Sequence, residues 1–195
     1  QSVIEVDEIL DKLGVPFKFR IDNSKFPKIE FSLKKEDIQS LKNTGVIDEH
    51  NFICDISKES AVAKLLYALA WKNGDLRKLN HIIDGILGGS LEDKENGFVF
   101  FQFGKYLTSA AGEPIIDQHV LRAFSVFMNR GNKVAVEKKK LFQKDTVNKN
   151  DLKLINEYKL WLSEYLTAGL RSEPEYTYHV DRVLFAIGKS LKAKK

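Results

Sequence analysis

The chain has 195 residues, of which 43% are hydrophobic, and this is long enough to bury a core in one domain. Its formal net charge is +4, and residues 133–195 carry a clear excess of Lys and Arg, whereas residues 1–132 are close to neutral. The single cysteine, Cys54, excludes an internal disulfide and a four-cysteine zinc or iron–sulfur site. No apolar run is long enough to cross a bilayer and no leader pattern opens the chain, so we expect a cytoplasmic protein with no membrane partner.

The N-terminal part, residues 1–56, is predicted to hold a helix, a β-hairpin and a short second helix. Apolar residues recur at helical spacing over residues 2–13, and Gly14 can end that helix. Apolar and polar residues then alternate over residues 15–33 around a polar turn, which predicts a β-hairpin. Two strands alone are marginal in water, so we expect the hairpin to lie on helices.

Residues 57–195 are predicted to form a helical core. A helix through residues 61–71, with Ser57 as its N-cap, is apolar almost all round, so we expect it to be central. Asp75 is predicted to cap the next helix, over residues 76–87.

Helices are also predicted in the C-terminal part. One extends over residues 133–142, another over residues 152–168 with Asp151 as its cap, and a last one ends the chain. The last helix is expected to bury five apolar residues, namely Val180, Val183, Leu184, Ile187 and Leu191. The predicted fold class is therefore mainly α: a single compact domain, residues 1–195, of roughly eight helices with a small N-terminal β-hairpin.

The candidate catalytic residues lie in the stretch over residues 97–130. An aromatic helix carrying Lys105 is followed by a tight turn at Pro114 and a second helix that begins at Asp117. The second helix is expected to bury an apolar stripe of Val120, Leu121, Phe124 and Phe127. Its opposite, polar face is expected to hold Gln118, Arg122, Ser125 and Asn129. Asp117 is predicted to be the N-cap, and a role in chemistry is the alternative.

Other features of this stretch allow two interpretations each. Lys105 either extends its amine to solvent or is buried, in which case desolvation makes it a better nucleophile. The aromatic residues either pack in the core or stack on bases; they are Phe98, Phe100, Phe101, Phe103 and Tyr106. The four histidines have no partner at metal-ligand spacing, and no phosphate-binding loop occurs, so no metal and no cofactor is expected.

Gly104-Lys105, followed by Pro114-Ile115-Ile116-Asp117-Gln118-His119-Val120-Leu121-Arg122, resembles the core of the helix-hairpin-helix DNA glycosylases. In that family a hairpin ending in Gly-x-Lys leads to a helix, a loop and a Val-Asp-Thr-His-Val-x-Arg-like segment. Segments 71–75 and 181–189 are similar to bacterial proteins of unassigned function that share this Asp-bearing core.

The resemblance implies a DNA-binding, base-excising protein. Asp117 would assist loss of the base and stabilise the oxocarbenium-like charge, and Lys105 would be the amine nucleophile of a bifunctional enzyme. The DNA-binding residues would be Gln102, Gly104, Gln118, His119 and Arg122. The chain has Phe101-Gln102-Phe103-Gly104 where the family has a glycine-rich turn. Two alternatives therefore stay open: a non-catalytic helical interaction module, or an enzyme acting on a small nucleoside-like ligand.

Overall fold

The computed structural model describes residues 5–110, 112–128, 143–172 and 175–192. These residues form nine α-helices, and the mainly α fold class is thereby confirmed. In chain order the helices are α1 (Val6–Lys12), α2 (Lys35–Asn43), α3 (Ala61–Lys72), α4 (Leu76–Ile86), α5 (Phe98–Leu107), α6 (Gln118–Met128), α7 (Leu152–Leu160), α8 (Ala168–Arg171) and α9 (Tyr176–Lys192). Within the described ranges, no helix has the length and apolar character that a bilayer crossing requires.

The chain groups into two compact units. The terminal unit comprises Gln1–Glu30 with Gly112–Lys195, and the central unit comprises Phe31–Ala111. The central unit therefore contains α2 to α5, and the terminal unit contains the other helices. The expectation of a single domain stays a prediction.

The core of the central unit forms where α4 crosses α5. Gly85 and Gly104 allow the two backbones to touch, because a Cβ on Gly104 would lie 2.0 Å from the carbonyl oxygen of Ile82 and one on Gly85 would lie 2.1 Å from that of Phe101. Beside this crossing, four isoleucines form a buried cluster, namely Ile38, Ile47, Ile83 and Ile86. The two helices therefore pack with their backbones in direct contact at this crossing.

Helix α3, predicted to be central, is the least buried long helix of the central unit. None of its residues is buried, and only Ala63, Tyr67 and Ala70 are half-buried. The prediction of its cap is also corrected, because the hydroxyl of Ser60 accepts the hydrogen bond from the N–H of Ala63 at 3.2 Å, so Ser57 is not the cap. The central position expected from composition is therefore wrong.

The core of the terminal unit forms where α6 crosses α9. A Cβ on Gly188 would lie 1.9 Å from the carbonyl oxygen of His119, so only glycine fits at this crossing. Phe124 of α6 has no exposed surface and lies 4.9 Å, centroid to centroid, from the ring of Tyr158 on α7. Helix α1 contributes its buried residues, Val6 and Leu10, to a cluster with Ala186 of α9.

The predicted N-terminal β-hairpin is not formed. Phe17–Phe19 is a short 3₁₀-helix, and no strand occurs between residues 20 and 33. The alternating aromatic residues do not share a buried face, since the side chain of Phe17 is 81% exposed and that of Phe31 is 62% exposed. The carbonyl oxygen of Val15 has a local side-chain partner instead of a strand, since the guanidinium of Arg20 donates to it at 2.9 Å.

Several C-terminal expectations also change. The helix predicted over residues 152–168 is α-helical only to Leu160, continues as one π-helical turn (Trp161–Tyr165) and is followed by α8. The five apolar residues expected to be buried on α9 are half-buried, and its buried residues are Asp181, Ala186, Gly188 and Ser190. The helix predicted over residues 133–142 lies outside the described residues.

Candidate functional site

Asp117 is the N-cap of α6, as predicted. Its Oδ1 atom accepts hydrogen bonds from the backbone N–H groups of His119, at 2.7 Å, and Val120, at 2.8 Å. These are two of the amides that a helix leaves without an intrahelical partner at its N-terminus. The side chain is half-buried. The structural role of the carboxylate is thus accounted for by its own helix.

A buried polar group that the sequence analysis missed lies in the same unit. Asp181 of α9 is only 4% exposed; its Oδ1 accepts from the Tyr158 hydroxyl at 2.5 Å and its Oδ2 accepts from the N–H of Ile115 at 2.6 Å. Burial raises the pKa of Asp181 well above its ordinary value, and the negative charge of Asp117 acts in the same direction. Asp181 thereby holds the segment before α6 against α7 and α9.

Arg122 is also buried, although the sequence places it on an exposed face. Its guanidinium donates to Nδ1 of His119 and to the carbonyl oxygen of Gly188, both at 2.8 Å, and also to the carbonyl oxygen of Lys144. A carboxylate oxygen of Asp145 lies 3.6 Å from Nη2. The Arg122 side chain has no exposed surface, so a contact with a DNA phosphate would require this network to open.

His119 is held by the same network. Its ring packs edge-on against Phe185, with centroids 5.1 Å apart, and its Nδ1 accepts from Arg122. Burial lowers the pKa of His119, and the charge of Arg122 lowers it further, which favours the neutral imidazole at pH 7. The expectation of a polar face on α6 is therefore corrected: Arg122 and Ser125 are buried, whereas Phe127 of the predicted buried stripe is 43% exposed.

The other predicted site residues lie on α5, in the central unit. Residues 98–107 are helical, so Gly104-Lys105 lies within a helix and not at the end of a hairpin. Gln102 has no exposed surface, and Gly104 lies at the crossing with α4. Lys105 is half-buried, with its Nζ 5.4 Å from the centroid of the Phe101 ring. Gln118, the first residue of α6 in the terminal unit, is half-buried.

In the part of the chain that the structure describes, no three His, Cys, Asp or Glu side chains are grouped so as to hold a metal ion. Cys54 is exposed and has a free thiol.

A surface on α3 is the feature that the sequence analysis did not foresee. Four side chains make up what we call the α3 face: Val62, Leu65, Leu66 and Leu69, which are 65%, 71%, 61% and 59% exposed. Their i, i+3, i+4, i+7 spacing aligns them on one side of the helix. On proteins in aqueous solution, exposed apolar side chains that lie together in this way mark interaction sites.

Comparison with known proteins adds no relative. No protein-family model, no curated protein and no solved structure matches the chain. The resemblance to the helix-hairpin-helix DNA glycosylases therefore rests on the residues quoted above, and glycosylase activity and DNA binding stay predictions.

Proposed function

We propose that the protein is a non-catalytic interaction module whose contact surface is the α3 face. The observation that carries this proposal is the exposure of Leu65, Leu66 and Leu69 on a helix with no buried residue. Fully burying one such side chain is worth about 1.5–3 kcal/mol, so covering the face stabilises any complex that does so.

The positions of the predicted catalytic residues support this proposal over a glycosylase. The Asp117 Oδ1 atom is engaged by two amides of its own helix, and Arg122 is enclosed by His119 and two backbone carbonyl groups. Lys105 lies within a helix, where the resemblance requires the end of a hairpin. The Asp117 carboxylate and the Arg122 guanidinium thus have structural roles that need no substrate.

Site-specific photo-crosslinking in the native host tests the proposal. Leu65 is replaced by photoreactive benzoylphenylalanine; the control carries the same group at Phe31, a 62% exposed residue of the same unit. We expect covalent adducts from position 65 only, and we expect Leu69→Glu in the same chain to remove them, because a charge on the face opposes its burial. Adducts no stronger at position 65 than at the control would overturn the proposal.

A further inference from the structure

We infer that the Asn96-Gly97 peptide is a site of spontaneous covalent modification, at which the backbone nitrogen of Gly97 displaces the side-chain amide of Asn96. The new bond joins that nitrogen to Cγ of Asn96 and closes a five-membered succinimide ring. The bond from Cγ to the side-chain nitrogen breaks, and this nitrogen leaves as ammonia with the proton of the Gly97 N–H. Water then opens the ring at either carbonyl and leaves aspartate or isoaspartate at position 96. The inference is independent of the proposed function.

The sequence alone offers two candidates for this reaction. The chain holds two Asn-Gly dipeptides, Asn73-Gly74 and Asn96-Gly97. Glycine has no side chain to obstruct the approach of its nitrogen to the asparagine, so both dipeptides are suitable by composition. Both asparagines are exposed, so access to water does not distinguish them. The hydrogen bonds around the two glycine N–H groups do.

The dipeptide at the end of α3 is held in a geometry that prevents the reaction. The N–H of Gly74 donates to the carbonyl of Trp71 at 3.0 Å, and the N–H of Asp75 donates to that of Ala70 at 2.8 Å. The succinimide ring closes only when Cβ and the glycine nitrogen are nearly eclipsed about the Cα–C bond. Asn73 has ψ −5°, so its own backbone nitrogen is eclipsed with the glycine nitrogen instead. Reaction at Asn73 therefore requires both hydrogen bonds to open.

The dipeptide before α5 has no such restraint. Asn96 lies outside any helix, in the loop between α4 and α5. Across the ranges that the structure describes, neither Asn96 nor the N–H of Gly97 takes part in a hydrogen bond. The nitrogen of Gly97 can thus reach Cγ of Asn96 without the loss of a hydrogen bond, and this difference assigns the modification to position 96.

Modification at this site acts on the start of α5. Gly97 is the N-cap of α5, with φ +74°, and its carbonyl accepts from the N–H of Phe101 at 2.9 Å. Three atoms of the His81 ring lie 2.2, 2.3 and 2.5 Å from the position that a Cβ on Gly97 would take, so the ring lies against Gly97. Isoaspartate sends the main chain through Cβ and lengthens it by one carbon before Gly97. The added carbon moves Gly97 out of one of these contacts and weakens the first turn of α5.

Incubation of the folded protein in water that carries a heavy oxygen isotope tests the inference. The ring-opening step takes its oxygen from water, so the label marks each converted asparagine. Trypsin digestion in ordinary water then places the two asparagines on separate peptides, residues 73–77 and 95–105, for mass spectrometry. Because two hydrogen bonds must open at Asn73 and none at Asn96, we expect label to accumulate at residue 96 at least about tenfold faster. No label in residues 95–105, or equal label in the two peptides, would overturn the inference.

The same incubation in urea is the control for the effect of the fold. Neither dipeptide is restrained in the unfolded chain, so the two peptides should gain label at similar rates. A preference for residue 96 that persists in urea would come from the neighbouring sequence and would overturn the role given to the hydrogen bonds. Asn96→Gln is the matched variant, because its longer side chain has to close a six-membered ring and should gain little label. Equal label in this variant and the parent would overturn the assignment to residue 96.

Thermal denaturation after the incubation tests the effect on α5. The parent should gain a population that unfolds at lower temperature, whereas Asn96→Gln should melt as it did before incubation. Asn96→Asp represents the other product and should melt at or above the parent, because a carboxylate near a helix N-terminus is stabilising. A labelled parent that still melts in a single transition at its original temperature would overturn the effect on α5.

Discussion

Asp117 caps α6 through an oxygen that aspartate and asparagine both possess. We therefore expect Asp117→Asn to leave the free energy of unfolding within about 0.5 kcal/mol of the parent. Asp117→Ala removes the acceptor for the amides of His119 and Val120 and should lower the free energy of unfolding by about 1 kcal/mol. Urea denaturation measures both variants.

The Asp117→Asn variant also distinguishes a capping role of Asp117 from a catalytic role. If the glycosylase resemblance extends to activity, the parent should release a base from damaged DNA, and Asp117→Asn should reduce that rate by orders of magnitude while remaining folded. Borohydride trapping that Lys105→Ala abolishes would identify that lysine as the nucleophile. Our proposal expects no base release from the parent, and a clear Asp117-dependent release would contradict it.

Asp181 makes the stability of the protein depend on pH. Its raised pKa means that the folded state holds the proton more tightly than the unfolded chain. The stabilisation is fully present below the ordinary carboxyl pKa of about 3.9 and is lost as pH rises through the folded-state pKa. Asp181→Asn can still accept from Ile115 and donate to the Tyr158 oxygen, without ionising. We expect the parent to lose stability relative to Asp181→Asn as pH rises above the ordinary carboxyl pKa of about 3.9, in urea titrations.

Asp22, an exposed aspartate, should show the opposite dependence of stability on pH and serves as the control. The hydrogen bond from the Ser24 hydroxyl lowers the pKa of Asp22, so its contribution is present above the ordinary pKa and is lost as pH falls. Asp22→Asn should therefore approach the parent in stability at low pH. If both Asn variants change with pH in the same direction, the burial of Asp181 is not the cause of the effect.

At the scale of elements, two glycines explain how neighbouring helices come so close. Gly104→Ala would force a methyl group against the backbone of Ile82, where no flexible side chain can move aside. We expect the variant to lose about 1–3 kcal/mol of stability, the usual result of overpacking. Gly169→Ala on α8 is the control, because nothing lies within 4 Å of its added Cβ. Thermal denaturation should show this control equal to or up to about 1 kcal/mol more stable than the parent.

The result for Gly104 also bears on the resemblance. A glycine needed at a helix crossing is explained without a phosphate contact. Equal melting temperatures for Gly104→Ala and Gly169→Ala would contradict the close approach of α4 and α5 at Gly104.

At the scale of the whole molecule, the distribution of charge predicts the strength and the salt dependence of DNA binding. The excess of Lys and Arg lies in residues 133–195, yet Lys159 and Lys192 form ion pairs with Glu113 and Asp145. We therefore expect weak DNA binding without sequence preference that falls steeply as salt is raised. Fluorescence anisotropy at low salt measures this binding for duplex and single-stranded DNA.

Three lysines provide the control for this measurement. Replacing residues 138–140 with glutamine removes three positive charges, so the slope of log affinity against log salt should become shallower by up to about 3. No binding at low salt to either form of DNA would remove nucleic acid from the partners of this protein.

Much of the helical structure followed from the sequence because helices depend on local interactions. The cap at Asp117 and the start of α4 after Asp75 depend on groups within a few residues along the chain. The helical spacing of Val120, Leu121 and Phe124 places all three on one face, and that face is buried. The hairpin prediction failed because alternation indicates strands only where one face is buried, and Phe17 is exposed.

Only the tertiary structure decided which polar groups are buried and which apolar face is not. Arg122 and Asp181 follow no sequence pattern, since their partners are backbone groups and a tyrosine that lie far away along the chain. The apolar composition of α3 indicates that burial is favourable, but burial needs another element to cover it. Helix α4 packs against α5 through Gly85 and Gly104, and the α3 face stays open to solvent.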